Sequence, residues 1–251
     1  MRLLVTGSRG TLGGKLLIAA QDRGWEVVAW DRDAVAPDDA VAGARFVADA
    51  AADAILHLAV GSEDWAGRLA TLAGPRPFVH VSSAMVFDHE PDGPHAPADE
   101  RTARDDYGRY KVRCEDAVRA ANAGATIARI GWQIDAGRRG NNMLFALDGW
   151  QAREGCIRTS RAWRPACSFM DDTIAALLDL AANPQPGVVH LDSNAAEAHT
   201  FDAIAAALKS RFERAHWHID IGEHYRHDQR LVGGPLVLPP LSLQLPELQS
   251  W

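Results

Sequence analysis

Lysine and tyrosine are scarce in this chain. Its 251 residues hold three lysines (Lys15, Lys111 and Lys209) and three tyrosines. Positive charge is carried by arginine instead, yet the formal net charge is −7. That balance argues against nucleic acid or an anionic membrane surface as the main partner. It leaves room for a local basic pocket for a diphosphate, built from arginines such as Arg138, Arg139, Arg158, Arg161 and Arg164. Cysteine is equally sparse. Cys114, Cys156 and Cys167 are odd in number and lack metal-ligand spacing, so they read as reduced thiols. Among the ten histidines no pair has HExxH-like spacing, and His57, His80, His216 and His218 read as core or surface residues. No metal is expected. No apolar run approaches the ~20 residues of a membrane span. Arg2-Leu3-Leu4-Val5-Thr6 runs straight into a glycine-rich loop, which is unlike a signal peptide. A cytoplasmic protein is expected.

What is present is an alternation of short apolar runs with helical patterns, the signature of a parallel sheet covered on both faces. The length suits one full α/β core and is short for two independent domains. Leu3–Thr6 reads as a strand, Gly13–Arg23 as a helix, and Glu26–Trp30 as a second strand ending at Asp31. A helix is expected from about Asp39 to Ala50, started by Pro37 and the carboxylates of Asp38 and Asp39. The third strand is then only a stub near Asp33–Ala36. Further strands follow at Ala54–Ala59, Phe78–Ser82 and Thr126–Gly131, with Tyr107–Asn122 as a helix. Residues 88–106, rich in Pro, Asp and His, read as a long loop over the site. Residues 132–164 carry Gly, Arg and Trp and read as irregular. Thr173–Ala182 returns as helix, Val188–Leu191 as strand and Phe201–Phe212 as helix. The tail from Pro235 to Pro246 is expected to be extended and non-helical.

Gly7-Ser8-Arg9-Gly10-Thr11-Leu12-Gly13 lies between a strand and a helix, the context that gives this glycine spacing meaning. Glycine permits the tight turn and lets the backbone approach a pyrophosphate. The helix N-terminus offers free N–H groups and a positive dipole end to that anion. The loop therefore reads as a dinucleotide site in a Rossmann-type, doubly wound sheet. Asp31 stands where a carboxylate accepts hydrogen bonds from adenosine ribose hydroxyls, which favours NAD. Arg9 and Arg32 could neutralise the extra phosphate of NADP, so both cofactors stay open.

Tyr107 and Lys111 are four residues apart at a helix start and share one face. A phenol is a poor acid–base group at neutral pH, its ordinary pKa being near 10. An adjacent ammonium, with the charge of an oxidised nicotinamide, is expected to lower that value. Tyr107 then gives a proton to a carbonyl as hydride arrives, or takes one in reverse. Lys111 also suits a hydrogen bond to the nicotinamide ribose. Ser83 ends a strand, where an open α/β sheet places its ligand crevice, and its hydroxyl suits polarisation of the reacting carbonyl. Ser82 competes for that role.

These residues resemble the extended short-chain dehydrogenase/reductase superfamily, and the wider pattern resembles its dTDP-4-dehydrorhamnose reductase branch. Val5-Thr6-Gly7-x-x-Gly-x-x-Gly13 is similar to the superfamily opening. Val81-Ser82-Ser83-Ala84-Met85-Val86-Phe87-Asp88 is similar to the region of its active-site Ser/Thr. Tyr107-Gly108-Arg109-Tyr110-Lys111 with Glu115 is similar to its Tyr-Gly-x-x-Lys-x-x-x-Glu helix. Arg129-Ile130-Gly131-Trp132 and Asn141-Asn142-Met143-Leu144 resemble the stretch where that branch begins to bind substrate. Ala84-Met85 and His57-Leu58-Ala59 are closer to the nucleotide-sugar epimerases.

The resemblance implies a Ser83, Tyr107, Lys111 triad and a cofactor on the Rossmann core. It also implies a small C-terminal lobe for a nucleotide-sugar. Residues 1–131 form the core, completed by about 165–192, and residues 132–164 and 193–251 form the lobe. Asp33 then lies near the adenine, Leu58 and Ala59 lie beside the cofactor, and Met85, Trp132, Asn142 and Arg164 face substrate with Ser83. The function expected is NAD(P)-dependent reduction of a keto group, on a nucleotide-linked deoxysugar, by a homodimer. The alternatives are an epimerase with tightly held NAD and a non-catalytic regulatory subunit that binds NAD(P).

Overall fold

The structure is a computed structural model that describes residues 1–137 and 140–250. In chain order the first elements are β1 (Arg2–Thr6), α1 (Thr11–Asp22), β2 (Glu26–Ala29), α2 (Ala40–Ala50) and β3 (Ala54–His57). Then come α3 (Glu63–Ala73), β4 (Phe78–Ser83), α4 (Asp106–Ala121) and β5 (Thr126–Ile130). They are followed by β6 (Trp132–Ile134), α5 (Met143–Glu154), β7 (Ile157–Ser160), β8 (Trp163–Arg164) and β9 (Cys167–Phe169). The last are α6 (Met170–Ala182), β10 (Gly187–Leu191), α7 (Phe201–Arg211), β11 (Ile219–Gly222) and β12 (His227–Asp228).

One sheet has the strand order β10-β5-β4-β3-β1-β2, with β1, β2, β3 and β4 paired in parallel. Leu3, Leu4 and Val5 of β1 are wholly buried, as are Ile55 and Leu56 of β3. Strands apolar on both faces need helices above and below, which is what makes the fold doubly wound. The chain changes direction across the sheet between β1 and β3. At such a switch point the loops after the strands diverge and leave a crevice.

The chain divides into two compact units. The first comprises residues 1–86, 104–129 and 174–189. Its core packs Trp30, Val47, Trp65, Leu69, Phe78, Val118 and Ile127 together. The helix expected from about Asp39 forms as α2, capped by the Asp39 carboxylate on the N–H groups of Val41 and Ala42. Helix α3, which the sequence reading left unassigned, starts at the Ser62 cap with Glu63 and Asp64 in its first turn. Carboxylates there complement the helix dipole.

The stub strand expected near Asp33–Ala36 is absent, and a turn takes its place. The Asp33 N–H bonds the Asp31 side chain at 3.0 Å, Val35 N–H bonds the Asp31 carbonyl, and Trp30 donates to the Val35 carbonyl. These local bonds use the groups a strand ladder would need.

The second unit comprises residues 87–103, 130–173 and 190–251. Its core is Ile134, Met143, Leu144, Leu147, Ile157, Phe201, Ile204, Leu208, Trp217 and Leu241. Here the expectation of irregular chain over 132–164 is corrected, since β6, α5, β7 and β8 occupy it. Parallel two-stranded pairs join β6 to β9, β7 to β11 and β8 to β12. The tail is extended through Pro240, but Leu241–Leu243 and Pro246–Ser250 are short 3-10 turns rather than extended chain. Residues 91–95 are bonded to residues 228–232 by Asp228 N–H to Pro91, His95 N–H to Arg230, and Val232 N–H to His95. Among the described residues no helix is long and apolar enough to cross a membrane.

Candidate active site

The glycine loop leaves β1 at Gly7, which adopts φ +76°. A Cβ there would lie 2.8 Å from the backbone nitrogen of Ala59, and one at Gly13 would lie 2.1 Å from the Gly7 carbonyl oxygen. No other residue fits at either position. Helix α1 begins at Gly10 with no side-chain cap. An uncapped helix start behind a bare backbone cradle is what a pyrophosphate requires. The cradle opens into a cleft of about 280 Å³, lined by Gly7, Ser8, Arg9, Gly10, Trp30, Arg32, Leu58, Ala59 and Val60. Trp30 and Val60 escaped the sequence reading. Their signal was position, one residue before Asp31 and one after Ala59, both at strand ends.

Asp31 and Asp33 do not line that cleft directly. Arg9 bridges them, with Nη2 2.8 Å from Asp31 and Nη1 2.7 Å from Asp33. The hydrogen bond to Asp33, and then the negative charge of both carboxylates, raises the Arg9 pKa. Arg32 donates to the Val60 carbonyl at 2.9 Å and its guanidinium lies 5.6 Å from the Trp65 ring centre. Thr11 and Leu12 lie in the first turn of α1, so their backbone N–H groups are among those at the uncapped helix start.

Helix α4 starts at the Asp105 cap, which accepts the Gly108 N–H at 2.8 Å. Its buried positions Gly108, Lys111, Cys114, Glu115 and Val118 follow helical spacing. Tyr107, one turn before Lys111, keeps 44 % of its surface exposed, whereas Lys111 is 3 % exposed. The phenol is open to a ligand, and the ammonium lies buried beside its ring. Lys111 Nζ donates to the Val81 carbonyl at 2.9 Å and sits 5.8 Å from the Tyr107 ring centre.

The two serines part ways. Ser82 is buried and donates to Glu115 at 2.6 Å, while Glu115 pairs with Arg129 at 2.8 Å. Ser83 shares a hydrogen bond with the Tyr107 phenol and accepts the Met85 N–H at 3.2 Å. Ser83, Tyr107 and Lys111 thus converge in the first unit, and Ser82 is engaged elsewhere.

The expected lowering of the Tyr107 pKa is not what the structure gives. Burial raises it, and the Ser83 hydrogen bond offsets that only in part. Burial also pushes Lys111 down, against the attraction of Cys114 and Glu115. At neutral pH the phenol is protonated, the form a proton donor needs.

The residues expected to face substrate lie in the second unit, Met85 and Ser83 excepted. Trp132 is half-buried, with ring centres of Trp150, Trp163 and Phe201 at 6.0, 6.4 and 6.1 Å. Asn142 is wholly buried, and its side chain caps α5 on the Phe145 N–H at 3.0 Å. Arg164, half-buried in β8, pairs in register with Asp228. Of the other arginines, Arg158 pairs with Glu154 and Arg161 approaches Asp202. Arg138 and Arg139 lie outside the described residues.

The profile of a protein family described as the RmlD substrate binding domain matches residues 1–65 and 62–216. The dTDP-4-dehydrorhamnose reductase of Mycolicibacterium smegmatis is 26% identical over 229 residues, which cover 83% of this chain and 69% of that protein. Two solved structures superpose on the chain. A dTDP-4-dehydrorhamnose reductase from Clostridium acetobutylicum gives a TM-score of 0.81 at 17% identity, over 100% of this chain and 99% of that one. The reductase of the same name from Bacillus anthracis, in complex with NADP, gives 0.81 at 15%, over 99% and 98%. The fold expected from the sequence is the fold these structures share, and the chain belongs to the RmlD substrate-binding domain family.

Proposed function

We propose that the chain is an NAD(P)-dependent oxidoreductase that reduces a keto group on a nucleotide-linked deoxysugar through Ser83, Tyr107 and Lys111. One observation carries this reading. A half-exposed, protonated phenol shares a hydrogen bond with the Ser83 hydroxyl and overlies a buried ammonium. The strand bearing Ser83 neighbours β3, whose end forms a wall of the glycine-lined cleft. The names of the relative and of the superposed structures, one of them holding NADP, support the same chemistry.

The bound dinucleotide supplies the hydride. The chain's own groups do the rest. Gly7, Gly10 and Gly13 with the start of α1 receive the pyrophosphate, and Leu58, Ala59 and Val60 form the opposite wall. Ser83 donates to the substrate carbonyl oxygen and holds it against Tyr107. As the carbonyl carbon is reduced, Tyr107 passes its proton to the oxygen and becomes a phenolate. The Lys111 ammonium beneath the ring stabilises that charge. At the adenosine end, Asp31 favours the ribose hydroxyls of NAD, while Arg9 and Arg32 offer the charge a 2′-phosphate needs, so both cofactors are accepted. Trp132, Asn142 and Arg164 belong to the substrate-binding lobe in this reading. The enzyme works in the cytoplasm as a homodimer, the state the family resemblance implies. The test is loss of reduced nicotinamide absorbance, with NADH and NADPH, against nucleotide-linked 4-keto-6-deoxysugars.

A further inference from the structure

We infer that Tyr110 is a positioning residue, which sets both the Lys111 ammonium and the wall of the cofactor cleft; the inference rests on the reductase reading above. Tyr107, Tyr110, Lys111 and Cys114 stand at i, i+3, i+4 and i+7 on one face of α4. Lys111 Nζ lies 5.6 Å from the Tyr110 ring centre and 5.8 Å from that of Tyr107. The two ring centres are 6.4 Å apart. The buried ammonium therefore has two aromatic neighbours as well as the Val81 carbonyl. A ring face attracts a desolvated cation, so Tyr110 helps keep Lys111 charged and in place.

The hydroxyl of the same side chain acts elsewhere. It accepts the Gly61 N–H at 2.9 Å and shares a hydrogen bond with the Cys114 thiol. Gly61 closes the segment whose residues Leu58, Ala59 and Val60 line the cleft. A side chain at Gly61 would run into Trp65, its Cβ 2.5 Å from the ring, so bare backbone faces Tyr110 there. Three consecutive residues of this wall are tethered. Thr6 holds the Ala59 N–H, Arg32 holds the Val60 carbonyl, and Tyr110 holds the Gly61 N–H. The Tyr110 tether comes from the helix that carries Tyr107 and Lys111. It registers the cofactor wall against the proton donor.

The test uses Tyr110→Phe, which keeps the ring and removes the hydroxyl, and Tyr110→Leu, which removes both. Cofactor Kd is read from reduced-nicotinamide fluorescence, kcat from turnover, and folding from the melting temperature. Tyr110→Phe is expected to raise Kd about fivefold, the effect of one lost hydrogen bond, with a smaller change in kcat. Tyr110→Leu is expected to show the same rise in Kd and a further fall in kcat of about tenfold, which the phenyl ring of Tyr110→Phe restores. Two variants indistinguishable from wild type would overturn the inference and leave the reductase reading intact. So would a rise in Kd and a fall in kcat that in both variants simply track a lowered melting temperature, because packing alone explains those. A wild-type chain that neither binds nor oxidises reduced nicotinamide would overturn the reductase reading itself.

Discussion

The Ser82 hydroxyl donates a hydrogen bond to the Glu115 carboxylate across 2.6 Å, and Arg129 grips the same carboxylate at 2.9 and 2.8 Å. The three side chains come from β4, α4 and β5 and are all buried. They fix the helix bearing Tyr107 and Lys111 to two strands of the sheet. Removing one partner of a buried ion pair leaves an uncompensated charge, so Glu115→Ala should cost about 3–5 kcal/mol. Ser82→Ala should cost about 1.5–3 kcal/mol, the range for a hydrogen bond to a charged group. Urea unfolding of the two variants measures both. A Glu115→Ala loss below about 1 kcal/mol would contradict this account of how α4 is held.

The neighbouring serine should behave in the opposite way. Ser83→Ala is expected to lower kcat by about 10²–10³-fold and Tyr107→Phe by about 10²–10⁴-fold. Neither change removes a core contact, so both variants should unfold close to wild type. Steady-state kinetics beside a melting curve separates the two serines.

His57 and His80 face each other in the core with ring centres 5.2 Å apart. Burial pushes His57 down to about 3 and His80 well below its ordinary value. The unfolded chain takes up protons near pH 6.5 while the folded chain refuses them. Stability from this pair is therefore full above about pH 6.5 and is lost as the pH falls towards 3. The urea midpoint should drop between pH 7 and pH 5. His80→Phe should flatten that dependence, and an unchanged slope would remove the pair from the explanation.

Arg9 is shared between Asp31 and Asp33 at the mouth of the cofactor cleft. Asp31→Asn leaves Arg9 with less competition and one less carboxylate to repel a phosphate. It should move preference towards NADPH by about tenfold, near 1.4 kcal/mol. Arg9→Gln should weaken NADPH more than NADH. Fluorescence titration with both cofactors reads the ratio, and equal losses for the two would contradict the assignment.

Much of the first unit was legible because its signals are local. The glycine loop, the apolar strands and the face of α4 each follow from side-chain size and spacing within a few residues. Elsewhere the deciding contacts are tertiary. Helix α5 buries only Met143, Leu144 and Leu147, so the stretch from Trp132 to Arg164 shows little helical periodicity in the sequence. The turn after Asp31 hides a strand-like run because Trp30 and Asp31 take its backbone groups. The choice between Ser82 and Ser83 was open in the sequence. In space the two hydroxyls have different neighbours, Glu115 for Ser82 and Tyr107 for Ser83, and the proposed role of Ser83 rests on that difference.

The most direct measurement follows the hydride itself. Reduced nicotinamide carrying deuterium at C4 would be given to the protein with a nucleotide-linked 4-keto-6-deoxysugar, and the sugar product examined by mass spectrometry. The account predicts a product with one deuterium on the reduced carbon, formed as the cofactor is oxidised and lost in Tyr107→Phe. A sugar isomerised without label and without net cofactor oxidation would contradict it and point to an epimerase.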